Sequence, residues 1–118
     1  EKMYLYDKAH ELAAEIKKSP EFLEYKKLKD EIFADATTKD LVNQYKSLQI
    51  EGQAAILSGQ QPGQELLDKL KKLGEVLAFN QKVTEYFAAE YKFNTIISDI
   101  YKIIGDASEL NLGFLEKE

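Results

Sequence analysis

Hydrophobic residues recur three and four positions apart along almost the whole chain, and this spacing predicts helices throughout. No segment shows the period-two alternation and the β-branched richness that are typical of a strand. Short polar, Gly- or Pro-containing segments separate the helical stretches: Ser19-Pro20, residues 35–38, residues 58–63 and Asn80. We therefore predict an all-α fold, an elongated hairpin or bundle of about five helices.

Capping residues define the expected boundaries of these helices. Thr37 or Thr38 suits the N-cap of the third helix, and Asn80 suits that of the fifth. Gly59 is placed to end the third helix in the left-handed conformation that glycine adopts readily. A single domain is expected over 1–118, with a helical body over 4–105 and a C-terminal tail over 106–118.

The third and fifth helices carry apolar residues on more than one side. In the third helix, a rotation of about 100° per residue places Ile50, Ala54 and Leu57 nearly opposite the expected inner stripe. That inner stripe consists of Leu41, Tyr45, Leu48, Gly52, Ala55 and Ile56. The fifth helix spreads its apolar residues over an arc of roughly 240°, wider than a one-sided surface helix needs. A single chain is therefore expected to leave apolar helix surface uncovered.

A partner chain would cover this surface. We predict a homo-oligomer, a dimer or higher, since a two-fold dimer is the commonest closed assembly. The residues predicted at the oligomer interface are Ile50, Ala54, Leu57, Phe93, Ile97 and Ile100. The alternative is that short helices of the same chain bury both stripes. The first helix presents one modest stripe, formed by Leu5, Ala9, Leu12, Ala13 and Ile16.

Two polar residues, Glu90 and Asn94, lie one turn apart inside the apolar arc of the fifth helix. A buried carboxylate is costly unless it is paired or hydrogen-bonded, so both residues are expected to have partners. We interpret them as a buried polar pair that fixes helix register and oligomeric state. The alternative interpretation is a polar pocket that binds a small molecule.

The available residue types exclude most catalytic chemistry. His10 is the only histidine and cysteine is absent, so one chain cannot assemble a His pair, a His–Cys metal site or a Ser-His-Asp triad. The loop from Gly59 to Gly63 lacks the Lys-Ser/Thr ending of a phosphate-binding loop and follows a helix. We expect no catalytic residue, no metal and no cofactor, and hence no enzyme activity.

Charge and hydropathy limit the partners. All 16 basic residues are Lys and the net charge is −5, so the Arg side chains that grip phosphates and read bases are missing. Direct nucleic-acid binding is not expected. No run approaches the ~18 to 20 apolar residues of a membrane span, and the first residues do not form a secretory signal. We expect a cytoplasmic protein without membrane insertion.

The fourth helix carries a short basic run, Lys69, Lys71 and Lys72, interleaved with acidic residues. Such runs are usually a salt-bridged surface. The alternative is a partner-docking surface for an acidic protein.

Several short segments together resemble the YlbF/YmcA family of bacterial helical proteins. They are Tyr6-Asp7-Lys8-Ala9 with Leu12, Ser19-Pro20-Glu21-Phe22-Leu23-Glu24-Tyr25, Leu48-Gln49, Leu57-Ser58-Gly59-Gln60 with Pro62, Ala89-Glu90 with Asn94, and Asp99-Ile100-Tyr101-Lys102-Ile103-Ile104. The resemblance covers about Tyr4 to Ala107, and it is a pattern of caps and stripes without a chemical signature.

The resemblance implies an all-α dimer or higher oligomer in the cytoplasm of Gram-positive bacteria, acting as a non-enzymatic regulator. Some members of the family form a complex with related proteins that governs the messenger-RNA-cleaving ribonuclease Y, and thereby competence, sporulation and biofilm formation. Some also carry cysteines linked to iron–sulfur binding. The tail here, Asn111 to Leu115, has none, so cluster binding is not carried over.

Two functions remain open from the sequence. The first is a homo-oligomeric helical adaptor in the regulation of RNA turnover or development. The second is a small-molecule-binding bundle that uses the pocket around Glu90 and Asn94.

Overall fold

The structure is a computed structural model that describes residues 2–110, and these residues form five α-helices and no strand. The helices are α1 (Lys2–Lys18), α2 (Pro20–Phe33), α3 (Ala36–Leu57), α4 (Gln64–Ala78) and α5 (Gln81–Ser108). The prediction of an all-α fold of about five helices is confirmed. None of the helices within this described range is long and apolar enough to cross a membrane.

The chain divides into two compact units. The terminal unit combines Glu1–Lys27 with Phe87–Glu118, and the central unit is Leu28–Tyr86. The expectation of one domain over 1–118 stays a prediction. The expected tail was placed too early, because α5 continues three residues beyond Gly105, to Ser108. The rest of that tail from residue 111 onwards lies outside the described residues.

The central unit has a well-buried core. Its buried hydrophobic side chains, each no more than 8% exposed, are Leu28, Ile32, Val42, Leu77, Val83 and Tyr86. Helices α3 and α4 pack closely beside this core, because α4 has a glycine where the ring of Tyr45 approaches it. A Cβ atom added at Gly74 would lie 3.4 Å from Cε1 of Tyr45. A larger residue at this position would push the ring outward.

Tyr86 is completely buried, and side chains from two other helices contact it. The Nζ atom of Lys46 on α3 donates a hydrogen bond of 2.8 Å to the hydroxyl of Tyr86. The ring of Phe33 on α2 lies 5.9 Å from the ring of Tyr86 in a tilted arrangement, the geometry that aromatic pairs prefer. Nearer the surface, Nζ of Lys82 donates to Glu31 at 2.8 Å, and this carboxylate raises the pKa of Lys82.

The described residues of the terminal unit form no comparable core. Among its described residues, Ala89 is the one buried hydrophobic residue. Its best-packed part is a half-buried aromatic cluster, in which the ring of Phe93 lies 5.4 Å from Phe22 and 5.5 Å from Tyr25. Burial of large apolar side chains is the main driving force of folding, so this unit gains little of that force from its own residues.

Most helix boundaries are set by the residues that the sequence indicated. The side chain of Ser19 accepts a hydrogen bond from the backbone N–H of Phe22 at 3.2 Å. Asn80 caps α5 by accepting from the N–H of Lys82 at 3.0 Å and from that of Val83 at 3.2 Å. Gly59 has a φ angle of 83°, the left-handed conformation expected at the end of α3.

The expectation that Thr37 or Thr38 caps α3 is wrong, because Asp35 is the N-cap. Its carboxylate accepts from the backbone N–H of Thr38 at 3.0 Å and from the hydroxyl of Thr38 at 2.6 Å. An ionised carboxylate is a stronger acceptor than a hydroxyl and also interacts favourably with the helix dipole. These hydrogen bonds lower the pKa of Asp35.

The predicted inner stripe of α3 is wrong at two positions. Val42 is completely buried although the stripe omitted it, and Ile56 is 62% exposed although the stripe included it. Tyr45 and Lys46 both make contacts inside the central unit, so the buried arc of the first half of α3 is wider than one stripe. Four of the last five residues of the helix, Ile56 among them, are exposed.

We predict that alanine substitutions at Gly52, within α3, and at Gly59, just after its end, change the free energy of unfolding in opposite directions. Gly59→Ala forces an L-residue into a left-handed conformation and should lower the free energy of unfolding by about 1 kcal/mol. Gly52→Ala should raise it by roughly 0.5 to 1 kcal/mol, since the position is helical and a new Cβ would lie 3.7 Å from Cδ2 of Leu66. Urea denaturation at one protein concentration measures both. Equal effects of the two substitutions would contradict the assigned backbone conformations.

We also predict a pH dependence for the cap of α3. Because the folded-state pKa of Asp35 lies below its unfolded value, its stabilising contribution is complete above about pH 5 and is lost as the pH falls through the folded pKa. The wild type should therefore lose its advantage over Asp35→Ala between about pH 5 and pH 2. Thermal melting of both proteins across this range measures the difference. A difference that stays constant would rule out the ionised cap.

Candidate association surfaces

The first candidate surface lies on α3, within the central unit. Ile50 is 66% exposed and Leu57 is 82% exposed, and Ala54 between them is also exposed. Two helical turns, about 10 Å, separate the two large side chains. The expectation that the helices of one chain leave this face uncovered is therefore met. Its contact with another chain stays a prediction.

The second candidate surface lies on α5, within the terminal unit. Phe93, Ile97 and Ile100 are each half-buried. Phe93 is already engaged in the aromatic cluster with Phe22 and Tyr25, which the periodicity of a single helix could not reveal. A role for these three residues at an oligomer interface stays a prediction.

A third apolar surface lies on α1, where helical spacing predicted one modest apolar stripe. We call it the α1 stripe: Leu5, Ala9, Leu12, Ala13 and Ile16. Leu5 is 71% exposed and Leu12 is 39% exposed, while Ala9 and Ala13 are exposed and Ile16 is half-buried. Periodicity identified the face correctly, but it could not show that the terminal unit leaves that face largely uncovered.

The polar residues Glu90 and Asn94 are half-buried in α5. In the described part of the chain no polar or charged residue is fully buried, so the expected burial of Glu90 and Asn94 is met only in part. Their role in fixing helix register stays a prediction.

Two open grooves lie between α3 and α4 in the central unit, and neither includes Glu90 or Asn94. One is lined by Asp40, Asn43, Gln44, Ser47, Leu48 and Lys69.

The basic run on α4 is exposed at all three positions, Lys69, Lys71 and Lys72. Nζ of Lys69 lies 3.9 Å from a carboxylate oxygen of Glu65, one turn earlier. Exposed pairs of this kind contribute about 0 to 1 kcal/mol, so this contact would not keep Lys69 from a partner. Docking of an acidic protein here stays a prediction.

The described residues offer no cluster of three or more His, Cys, Asp and Glu side chains that could hold a metal ion. The exposed or half-exposed apolar residues lie on α3 in the central unit, and on α1 and α5 in the terminal unit. This arrangement is suited to binding another helical surface.

The sequence matches one family model and several related bacterial proteins over nearly its whole length. Residues 5–107 match the family model described as "Control of competence regulator ComK, YlbF/YmcA". A UPF0342 protein of Halothermothrix orenii is 36% identical over 98% of both chains. Another, of Clostridium tetani, is 34% identical over 98% of this chain and 100% of its own length.

A solved structure has a similar fold. A protein of unknown function (DUF964) from Bacillus stearothermophilus matches with a TM-score of 0.70 and 18% identity, covering 89% of this chain and 92% of the other. At this identity the likeness concerns the fold alone.

The structure separates two residues that the sequence placed in one interface. Phe93→Ala should lower the free energy of unfolding by about 1 to 3 kcal/mol at every protein concentration, because it removes a half-buried ring from a cluster within the chain. Leu57→Ala should have an effect of less than about 0.5 kcal/mol at high dilution, because its side chain is 82% exposed. Urea denaturation over a hundredfold range of concentration measures both. A large cost of Leu57→Ala at the lowest concentration would contradict this assignment.

Proposed function

The chain belongs to the YlbF/YmcA family of proteins linked to the control of competence, and from this premise we propose that it is a non-enzymatic regulatory adaptor that acts by protein association. It assembles with itself and presents helical surfaces to other proteins in the cytoplasm. Related family proteins, and through them a ribonuclease-associated complex, are the partners that the family resemblance suggests.

The observation that carries this proposal is the exposed apolar face of α3. Ile50 and Leu57 are mostly exposed, although the first half of the same helix supplies Val42 and Tyr45 to the interior. Full burial of a Leu or Ile side chain stabilises by about 1.5 to 3 kcal/mol. Covering both residues in an interface would therefore favour association substantially.

The terminal unit supports the same proposal independently. Its described residues bury no large hydrophobic side chain completely, yet it contains exposed Leu5, Tyr91 and Ile103. Apolar surface of this kind in a stable protein commonly marks an interaction site.

Sedimentation equilibrium tests the proposal. We expect the wild-type protein to be a dimer or a larger assembly at micromolar concentration. Ile50→Glu combined with Leu57→Glu should lower the assembly state or raise the dissociation constant at least tenfold, because two carboxylates would be buried without partners. A wild-type protein that stays monomeric up to 100 micromolar would refute the proposal.

Val76→Glu is the matched control. Val76 is 55% exposed on α4 of the same unit and lies outside the proposed face, so its substitution should leave the assembly unchanged. Affinity capture with tagged wild-type protein should also recover related family proteins, whereas the double variant should recover less. Equal losses for Val76→Glu and the double variant would mean that any new charge disrupts assembly, and the α3 face would lose its assignment.

A further inference from the structure

The stripe on α1 repeats with the spacing of a coiled-coil seam. Its larger members, Leu5, Leu12 and Ile16, with Ala9 between them, follow each other at intervals of four, three and four residues. This is the alternation of a and d positions that brings two helices together side by side. The helix is 17 residues long, about 25 Å, so the seam occupies most of its length.

The seam is complementary to itself when reversed. A two-fold axis beside residues 10 and 11 would place Leu5 of one helix opposite Ile16 of the other. The same axis would place the small Ala9 opposite the larger Leu12. Each pair occurs twice because of the symmetry. Antiparallel coiled coils pair a positions with d positions in this way, and small residues opposite large ones allow the two backbones to approach closely.

Charges beside the seam favour the same arrangement. Lys8 and Glu15 lie one heptad apart on the same flank, at positions that face each other across an antiparallel pair of helices. The antiparallel pairing therefore brings Lys8 of each copy next to Glu15 of the other. In a parallel pairing Lys8 would face Ala13 and gain no partner. The opposite flank carries Tyr6 and Ala13, which introduce no repulsion.

Both charged residues are accessible for such an exchange. Nζ of Lys8 lies 3.6 Å from Glu11, and Glu15 lies 3.6 Å from Nζ of Lys18. All four side chains in these two ion pairs are more than half exposed. Exposed pairs within one helix contribute little to stability, so an intermolecular pair can replace them at little cost.

We propose that α1 pairs with α1 of a second copy as an antiparallel two-stranded coiled coil, with Lys8–Glu15 ion pairs on its flank. This inference rests on the self-association in the proposed function and names a surface that carries it. We assign a second copy of this chain as the partner, because the apolar seam and its flanking charges are complementary to the same helix running in the opposite direction.

Charge reversal provides the test. Lys8→Glu should leave four carboxylates along the flank, and Glu15→Lys should leave four ammonium groups, so each variant alone should dimerise about tenfold more weakly than the wild type. An equimolar mixture of the two variants should recover dimerisation, because each mixed dimer has two opposite-charge pairs. The double variant Lys8→Glu/Glu15→Lys should recover it as well. Sedimentation equilibrium at low salt measures all four samples.

Asp7→Lys is the matched control, since Asp7 lies on the side of α1 away from the seam. It should leave the dissociation constant within about twofold of the wild type. Circular dichroism checks that the variants are folded, which is expected because the substituted side chains are exposed. If the mixture of single variants dimerises as weakly as either variant alone, the antiparallel pairing is wrong.

The outcomes separate this inference from the proposed function. A monomeric wild type would overturn both. A wild-type dimer whose dissociation constant is unchanged by Lys8→Glu and by Glu15→Lys would overturn the α1 pairing and leave self-association through α3 or α5 intact.

Discussion

The buried hydroxyl of Tyr86 is the constraint on which the central unit depends. A fully buried tyrosine needs a hydrogen-bond partner inside the protein, and here the ammonium group of Lys46 supplies it at 2.8 Å. The aliphatic stem of a lysine can pack along apolar neighbours while its charged end reaches a polar atom. With the ring of Phe33 against the same tyrosine, one side chain of α5 fixes the positions of α2 and α3 in this unit.

The two units differ in how they satisfy their apolar residues. The central unit buries six large side chains, including Val42 and Tyr86 with no exposed surface. The terminal unit relies on a half-buried aromatic cluster around Phe93, and its α1 helix turns Leu5 towards solvent. Stability within a protein is not uniform, and segments with few buried contacts open most easily. Partner binding therefore has more to contribute to the terminal unit than to the central one.

Sequence reasoning predicted those features that depend on local chemistry. Helical periodicity gave the fold class, and the turn preferences of Gly59 and Asn80 gave two helix ends. The cap of α3 was misplaced because several residues between the helices were chemically competent, and the choice of Asp35 depends on backbone geometry. Burial was harder still. Val42 is interior and Ile56 is exposed because of neighbours distant in the chain, which a rotation of 100° per residue does not include. The exposed α3 face was predicted because its residues lie opposite the packed side.

The scarcity of buried side chains in the terminal unit has a consequence for cellular abundance. If this unit is completed by another copy, its local stability depends on protein concentration by mass action. Solitary molecules would expose hydrophobic helices to proteases, whereas assembled molecules would be protected. Cellular proteases would then degrade unassembled copies, and the amount of the protein would follow the amount that is assembled.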